Sequence, residues 1–224
     1  MSVLYVVATP IGNLGDVSRR AEETLRSVSV ILCEDTRVTS KMLARLEIKK
    51  ELMVLHQHTE RSRMRPIIDR LIAGEDMALV TDAGTPGISD PGGIFVEELL
   101  RTAPDVQIMP IPGPNAVATA LSVAGVAADN YLFLGFPPHK KGRQTFFDRV
   151  IATPFTVVFF ESTHRIEKAL SQIAERDTTR KLIVCRELTK MHETIYRGTA
   201  TEVLEQLSKT SIKGEFVVIL APQK

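Results

Sequence analysis

The 224-residue sequence contains no tryptophan, only two cysteines and no long apolar run. Cys33 and Cys185 lie in separate apolar segments, which favours buried, reduced thiols over a disulfide. No Cys/His spacing is typical of a zinc site, so we predict no metal. No apolar stretch approaches the ~20 residues that span a bilayer, and the N-terminus lacks the basic segment of a signal peptide. These absences predict a cytoplasmic protein without a membrane partner.

Excess charge is also absent. The chain has 28 Lys and Arg residues against 27 Asp and Glu residues, a formal net charge of +1. Such a balance gives no global attraction to nucleic acid, so an RNA site would have to be a local cationic patch. The composition, 44% hydrophobic and 25% charged, is typical of a globular protein with a substantial core.

Short β-branched apolar runs alternate with amphipathic segments in the first half of the chain. The runs are nearly continuous in apolar residues, which predicts strands of a mainly parallel sheet covered on both faces. We place these strands at residues 3–7, 28–33, 52–55, 77–81 and 107–111. The helices between them are predicted to start at Asp16 or Ser18, at Thr39, at Ser62 or Arg63, and at Gly93, with a further helix after Asn115.

The second half repeats the alternation. Strands are predicted at residues 131–134, 156–161, 181–186, 194–198 and 215–220, with helices at 166–176 and 201–207. Residues 135–143, rich in Pro, Gly and charge, are the best linker candidate, although the junction could lie earlier, anywhere from residue 113. We therefore predict an α/β fold of two α/β lobes, with domains at residues 1–115 and 116–224.

Three Pro/Gly-bearing segments each follow a predicted strand: residues 9–14, 82–93 and 112–116. Because ligands of open α/β sheets bind at the carboxyl ends of strands, the three should converge on one ligand site. None is a G-x-G-x-x-G or a Walker A sequence, which argues against the usual dinucleotide and triphosphate sites. The first segment alone fits a structural turn equally well. The low charge of the three together favours a neutral or zwitterionic ligand.

An ordered set of motifs spans the chain: Thr-Pro-Ile-Gly-Asn-Leu at 9–14, Cys-Glu-Asp-Thr-Arg at 33–37, Asp-Ala-Gly-Thr-Pro-Gly-Ile-Ser-Asp-Pro-Gly at 82–92, Pro-Gly-Pro-Asn at 112–115, Phe-Glu-Ser-Thr-His-Arg at 160–165, Arg-Glu-Leu-Thr-Lys at 186–190 and Lys-Gly-Glu-Phe-Val-Val at 213–218. The set resembles the small-subunit ribosomal RNA cytidine 2′-O-methyltransferase branch of the tetrapyrrole methylase superfamily. No single motif identifies this family, but the ordered set is specific for it.

The resemblance implies S-adenosylmethionine as cofactor, bound in a cleft between the lobes of a homodimeric enzyme. Thr85 stands where many members of the superfamily have an aspartate, so Asp82 is the candidate substitute for that role. The cofactor-binding residues that the resemblance implies are Thr9, Pro10, Ile11, Asp82, Thr85, Ile88, Asn115, Ala116, Phe160, Gly214, Glu215 and Val217.

Charged residues that follow strands are the candidates for the acceptor side. A ribose hydroxyl is a poor nucleophile and benefits from a base or from a cation near the developing alkoxide. We predict Glu187 and Lys190 as the catalytic pair. RNA contacts are assigned to Arg37 and Arg165, and to a patch of Lys140, Lys141 and Arg143 for which a solubilising linker is the alternative.

The substrate is then small-subunit ribosomal RNA, free or in the assembled subunit. Two alternatives stay open: methylation of a tetrapyrrole such as a corrin precursor, and a non-catalytic RNA-binding protein that binds the cofactor only for stability. Members of the resembled family often continue into a further C-terminal segment, whereas this sequence ends at Lys224 after the last predicted strand. We therefore expect this chain to bind RNA more weakly than members that carry the further segment.

Overall fold

The computed structural model describes residues 2–55 and 61–223. Their contacts divide the chain into two compact units, Met1–Asn115 (unit 1) and Ala116–Lys224 (unit 2). Each unit contains one five-stranded sheet with helices. The predicted α/β class with two α/β lobes is confirmed.

Unit 1 is built on a parallel sheet. Its strands are β1 (Val3–Val7), β2 (Val30–Cys33), β3 (Glu51–Val54), β4 (Met77–Leu79) and β5 (Gln107–Ile111). The order across the sheet is β3-β2-β4-β1-β5, and every pair is parallel. The carboxyl ends of all five strands therefore lie at one edge, which is where the Pro/Gly segments begin.

The sheet of unit 1 is covered on both faces, as its continuous apolar runs predicted. In β2, Val30 and Leu32 belong to one buried cluster, whereas Ile31 and Cys33 belong to another. All four side chains are fully buried. Burying each aliphatic side chain contributes about 1.5–3 kcal/mol, so both faces contribute to holding the carboxyl edge in place.

The helices of unit 1 are α1 (Arg19–Ser27), α2 (Thr36–Arg45), α3 (Arg61–Ile72) and α4 (Gly92–Thr102). Ser18 caps α1, since its hydroxyl accepts a hydrogen bond from the Ala21 N–H at 3.1 Å. The prediction that Thr39 caps the second helix is wrong. Asp35 is the cap, with its carboxylate accepting from the Arg37 N–H at 2.8 Å, and Thr39 is buried one turn inside α2.

Unit 2 contains a mixed sheet. Its strands are β6 (Tyr131–Phe133), β7 (Thr156–Ser162), β8 (Leu182–Arg186), β9 (Thr194–Gly198) and β10 (Glu215–Leu220), in the order β6-β7-β10-β8-β9. Only the β6–β7 pair is parallel. The helices are α5 (Ala116–Ala124), α6 (Arg143–Ala152), α7 (Ile166–Ala174) and α8 (Ala200–Ser208). Helices α6 to α8 contribute to one core cluster with one face of the sheet, and α5 packs on β10.

The linker prediction for residues 135–143 is wrong. This segment lies inside unit 2, between β6 and α6. Helix α6 itself was not predicted, because it starts after Gly142, whose φ of 85° is left-handed and which offers no side chain as a cap. Within the described part of the chain, no helix is both long enough and apolar enough to cross a membrane.

Candidate active site

Three loops follow strands at the carboxyl edge of the unit 1 sheet. We name them the β1 loop (residues 9–14), the β4 loop (residues 82–93) and the β5 loop (residues 112–116). They are the Pro/Gly segments of the sequence analysis. The structure brings them together, as the parallel arrangement of their strands predicted.

Direct hydrogen bonds join the three loops. The backbone N–H of Thr9 donates to the Gly84 carbonyl at 2.9 Å, and the N–H of Gly84 donates back to Thr9 at 3.1 Å. The Thr9 hydroxyl, 2% exposed, donates to the Thr81 carbonyl at 3.0 Å. The Thr85 hydroxyl donates to the Pro114 carbonyl at 3.1 Å. The Thr9 and Thr85 side chains therefore hold the loops against one another.

Two glycines permit this close packing. A Cβ on Gly113 would lie 3.0 Å from the Cβ of Ala8, tighter than ordinary van der Waals contact. Gly84 has a φ of 91°, a left-handed conformation, and a Cβ there would lie 3.3 Å from the Ile11 side chain. Any larger residue at either position would push the loops apart.

Asp90 braces the β4 loop from within. Its carboxylate accepts hydrogen bonds from the backbone N–H groups of Gly87 at 2.9 Å, Ile88 at 3.2 Å and Gly92 at 2.7 Å. Ser89 is left-handed, with a φ of 64°. The brace holds the backbone of a loop whose outer residues, Ile88 among them, are exposed. The sequence motif by itself assigns no role to Asp90, because its only local signal is that of an Asx-type turn.

Carboxylates gather where β2 and β4 end. Glu34 accepts hydrogen bonds from the Thr81 hydroxyl and from the Asp82 N–H, the latter at 3.4 Å. The Asp82 carboxylate accepts from the Asp35 N–H at 3.2 Å. Arg37 pairs with Asp35 at 2.6 Å and is the only cation among these groups. Carboxylates outnumber cations three to one, so this edge favours a ligand with positive charge.

The pKa values of two carboxyl groups at this edge, Asp35 and Asp82, are shifted by their surroundings. Desolvation by the surrounding loops raises the pKa of Asp82 above its ordinary value, and this effect outweighs the hydrogen bond from the Asp35 N–H, which lowers it. The hydrogen bond from Arg37 lowers the pKa of Asp35 to about 2. Perturbed carboxyls at a loop cluster are typical of a functional site.

The predicted cofactor residues of unit 1 lie on these loops. Pro10 is half-buried, Ile11 is buried and Ile88 is exposed, while Asn115 ends unit 1. Ala116 begins α5 of unit 2. Exposed loop backbone of low charge beside carboxylates suits a compact zwitterion that carries an additional positive charge.

The predicted catalytic pair forms an ion pair in unit 2. Lys190 Nζ lies 2.9 Å from Glu187 Oε1 and 2.9 Å from Glu215 Oε2. Glu187 Oε1 also accepts the backbone N–H of Glu215 at 2.9 Å. Glu187 and Lys190 are largely shielded, whereas the Glu215 side chain is 79% exposed. Two of the three ammonium protons are thereby used, and one stays available for another acceptor.

The loop that carries this pair has an uncommon backbone conformation. Glu187 and Thr189 have φ angles of 53° and 65°, both left-handed although neither residue is glycine. The conformation is held by hydrogen bonds from the Glu187 N–H to the Glu215 carbonyl at 2.9 Å and from the Thr189 N–H to Glu193 at 2.6 Å. Left-handed residues of this kind each cost of order 1–2 kcal/mol and cluster at functional sites.

The charge states of the pair are set by their contact. Burial raises the pKa of Glu187, but the hydrogen bonds from Lys190 and from the Glu215 N–H outweigh it, so the pKa is lowered. Burial lowers the pKa of Lys190, but its hydrogen bonds to Glu187 and Glu215 outweigh it, so the pKa is raised. At neutral pH the pair is a carboxylate and an ammonium, and neither member is poised as a proton acceptor.

Gly214 and Thr163 complete this cluster. A Cβ on Gly214 would lie 2.6 Å from Glu187 Cγ, so only glycine fits beside the carboxylate. The Thr163 hydroxyl accepts from the Gly214 N–H and donates to its carbonyl, both at 2.7 Å. Thr163 has no signal in the sequence beyond its place in the Phe-Glu-Ser-Thr-His-Arg motif. Val217, a predicted cofactor residue, is buried within β10.

Phe160, another predicted cofactor residue, is half-buried in unit 2. Its ring packs against Phe133 with centroids 4.9 Å apart and against Phe136 with centroids 5.3 Å apart. Phe136 is 52% exposed. The ring of Phe160 therefore belongs to an aromatic cluster that reaches the surface of the unit.

The predicted RNA contacts of unit 2 differ in exposure. Lys140 and Lys141 are exposed. Arg143 is 4% exposed and its guanidinium donates to Gln172 at 2.8 Å and lies 3.5 Å from the buried Glu161. Arg165 pairs with the same carboxylate at 2.8 Å. Both arginines are thus engaged inside the unit, which leaves the two lysines as the part of the patch open to a phosphate.

In the described part of the chain, His, Cys, Asp and Glu residues form no group of three or more that could hold a metal ion.

The class of protein follows from the fold and from a family model. A uroporphyrin-III C-methyltransferase from Thermus thermophilus, solved with S-adenosylhomocysteine, matches with a TM-score of 0.65 and 19% identity, covering 99% of this chain and 97% of that one. At this identity the likeness establishes the fold alone. The family model of the Tetrapyrrole (Corrin/Porphyrin) Methylases matches residues 3–204.

Two curated relatives are more similar in sequence. Both are named Ribosomal RNA small subunit methyltransferase I. The protein from Xylella fastidiosa is 43% identical over 97% of this chain and 80% of its own length. The protein from Thermotoga maritima is 38% identical over 99% of both chains. The chain therefore belongs to the tetrapyrrole methylase family, and the resemblance drawn from the ordered motifs is confirmed.

Proposed function

We propose that this protein is an S-adenosylmethionine-dependent methyltransferase that methylates the ribose 2′-hydroxyl of a cytidine in small-subunit ribosomal RNA. The observation that carries the proposal is the similarity to relatives named as small-subunit ribosomal RNA methyltransferases, which extends over nearly the whole chain. A cytoplasmic location and a homodimeric state stay predictions from the sequence.

The residues of unit 1 suit this cofactor. S-adenosylmethionine supplies a methyl group on a positively charged sulfonium. Glu34, Asp35 and Asp82 give the carboxyl edge the negative charge that such a cation favours. The β4 loop, braced by Asp90, offers fixed backbone groups to a zwitterion. Thr9, Pro10, Ile11, Thr85 and Ile88 lie on the same loops and are the proposed cofactor contacts of this unit.

The acceptor side is assigned to the cluster in unit 2. Methyl transfer forms a C–O bond as the S–C bond breaks; S-adenosylhomocysteine leaves as a neutral thioether, and the hydroxyl proton passes to water. Lys190 is the proposed catalytic residue, because its third N–H can donate to the acceptor oxygen as negative charge develops there. Glu187 positions the ammonium, since its lowered pKa makes it a weak base. Catalysis then depends mainly on positioning and electrostatics.

Methylation of a tetrapyrrole is the second candidate, favoured only by the fold. The neighbour that acts on a uroporphyrin is 19% identical, whereas the relatives named for ribosomal RNA are 38–43% identical. The RNA substrate is therefore preferred. A protein that binds RNA and cofactor without catalysis would release no S-adenosylhomocysteine when small subunits are added.

If Lys190 and Glu187 act in catalysis, substituting them should lower the rate of methyl transfer without weakening cofactor binding. Lys190→Ala should lower kcat for methyl transfer to small subunits by on the order of 10², as for loss of one oxyanion donor. Glu187→Gln should lower kcat less, because it only weakens the positioning of the ammonium, and S-adenosylmethionine affinity measured by calorimetry should be unchanged in both variants. Lys209→Ala is the matched control, because Lys209 forms an exposed ion pair with Glu205 in the same unit. Near-normal rates in Lys190→Ala would refute the assignment.

A further inference from the structure

The exposed face of α2 carries a row of positive charge. Arg37, Lys41 and Arg45 follow at four-residue intervals and are exposed. Thr39 and Leu43, on the opposite face, are 2% and 3% exposed, which fixes the row toward solvent. Four residues advance an α-helix by ~6 Å, so the three cations form one line along it. The helix contains no acidic residue.

Most of this row is not neutralised within the protein. Arg37 pairs with Asp35 at 2.6 Å. Among the described residues, Lys41 and Arg45 form no ion pair, in contrast to arginines such as Arg70, which is held by two carboxylates. Like charges four residues apart repel and weaken a helix. Repulsion within the row offsets the favourable position of Arg45 in the last turn of the helix, and the charge of Lys41 and Arg45 can attract an external anion.

A groove runs beside the row. It has a volume of about 600 Å³ and is lined by Leu14, Lys41, Met42, Ala44 and Arg45. The lining combines two cations with apolar side chains. Such a lining suits a polynucleotide, because its phosphates are attracted to positive charge and the carbon atoms of its riboses and bases can contact apolar side chains. Leu14 is the last residue of the β1 loop, so the groove adjoins the loops proposed for the cofactor.

We propose that this α2 groove binds the sugar-phosphate backbone of the RNA substrate, with Lys41 and Arg45 contacting successive phosphates. The inference rests on the proposed function and extends the RNA contact predicted at Arg37 along the same helix to Lys41 and Arg45. Helix side chains do not read the deep major groove of A-form RNA. The α2 groove therefore holds a single-stranded or unpaired segment through its backbone and contributes affinity without base specificity.

The test measures how RNA binding depends on salt. Lys41→Gln and Arg45→Gln together should lower the magnitude of the slope of log K against log salt by roughly 1.4, about 0.7 for each phosphate contact to a single strand. The measurement uses fluorescence anisotropy with short single-stranded RNAs of two unrelated sequences. Binding to both should weaken equally, by on the order of 10-fold at low salt.

Arg149→Gln with Lys168→Gln is the matched control, since both cations are exposed and neither forms an ion pair with described residues. It should leave the slope unchanged. A wild-type slope in the Lys41/Arg45 double variant would overturn the inference. So would a variant that loses affinity for assembled subunits only, because the groove would then contact a ribosomal protein.

Failure of the proposed function has a different signature. A wild-type protein that binds RNA and S-adenosylmethionine but transfers no methyl group would contradict the proposed function. The salt slopes of the two double variants would still decide whether the α2 groove contacts phosphate. Affinity for S-adenosylmethionine alone should be equal in all variants, and unchanged thermal midpoints would establish that each one is folded.

Discussion

At the scale of single residues, Glu161 is the buried carboxylate that pairs with both Arg143 and Arg165. Its side chain is fully buried and lies 2.8 Å from Arg165 and 3.5 Å from Arg143. It also accepts the backbone N–H of Ser162 at 2.8 Å. In the sequence, an arginine such as Arg143 that lies close to other cations is typical of a nucleic-acid contact. The partner of Arg143, Glu161, lies 18 residues further along the chain, and only the fold shows that the two side chains meet.

Removing this carboxylate should destabilise unit 2. Glu161→Ala would leave two arginines without their buried partner, which typically costs about 3–5 kcal/mol. Chemical denaturation followed by circular dichroism measures the loss. Glu205→Ala, which breaks the exposed pair with Lys209, should change stability far less, because solvent screens an exposed ion pair. Equal effects of the two substitutions would contradict the structural role of Glu161.

Gly214 is predicted to be required for the geometry of the catalytic pair. Gly214→Ala places a Cβ 2.6 Å from Glu187 Cγ, in a residue whose φ is 131°. The carboxylate must move, so methyl transfer should fall together with stability. Gly74→Ala is the matched control, because its φ of 104° imposes similar backbone strain in open space. The two variants would share a loss of about 1–2 kcal/mol from backbone strain, and only Gly214→Ala should lose activity.

At the scale of elements, individual strands could be predicted because their signal is local. Runs rich in β-branched and apolar residues predicted β1, β5, β9 and β10 with the bounds that the structure has. Helix α6 was missed because its left-handed Gly142 lacks a capping side chain. The convergence of the three loops in unit 1 followed from the sheet. The contacts that lock them, such as Thr85 with Pro114, depend on residues far apart in the chain and were beyond a sequence pattern.

The link between the β8–β9 loop and β10 should depend on pH. Glu187 has a lowered pKa in the folded protein, so its stabilising contribution is complete above the ordinary carboxyl pKa of about 4.3 and is lost as pH falls through the lower folded value. The free energy of unfolding of the wild type should exceed that of Glu187→Gln by a constant amount from neutral pH down to about 5.

Denaturation at a series of pH values measures this difference. Below about pH 4 the gap should shrink, since the protonated carboxyl no longer holds the Lys190 ammonium by charge. Glu205→Gln is the control, because its pair with Lys209 is exposed and should give only a small difference at every pH. A gap that widens as the solution becomes acidic would contradict the assigned charge states.

At the scale of the whole molecule, the near-zero net charge places the burden of RNA recognition on local surfaces. The two proposed surfaces are the exposed lysines Lys140 and Lys141 in unit 2 and the α2 groove in unit 1. A chain with 28 cations and 27 anions should bind RNA weakly and with a modest salt dependence overall. Such a protein fits an assembled subunit, which presents ribosomal RNA in a fixed shape, better than it fits free RNA.

The most direct measurement is transfer of a labelled methyl group from S-adenosylmethionine to small ribosomal subunits that lack the modification. The labelled nucleotide is then mapped by nuclease digestion and mass spectrometry. We expect a single 2′-O-methylated cytidine in the small-subunit RNA, and its formation should depend on Lys190. Label on a base, label in several nucleotides, or no label while a uroporphyrin accepts the methyl group would contradict it.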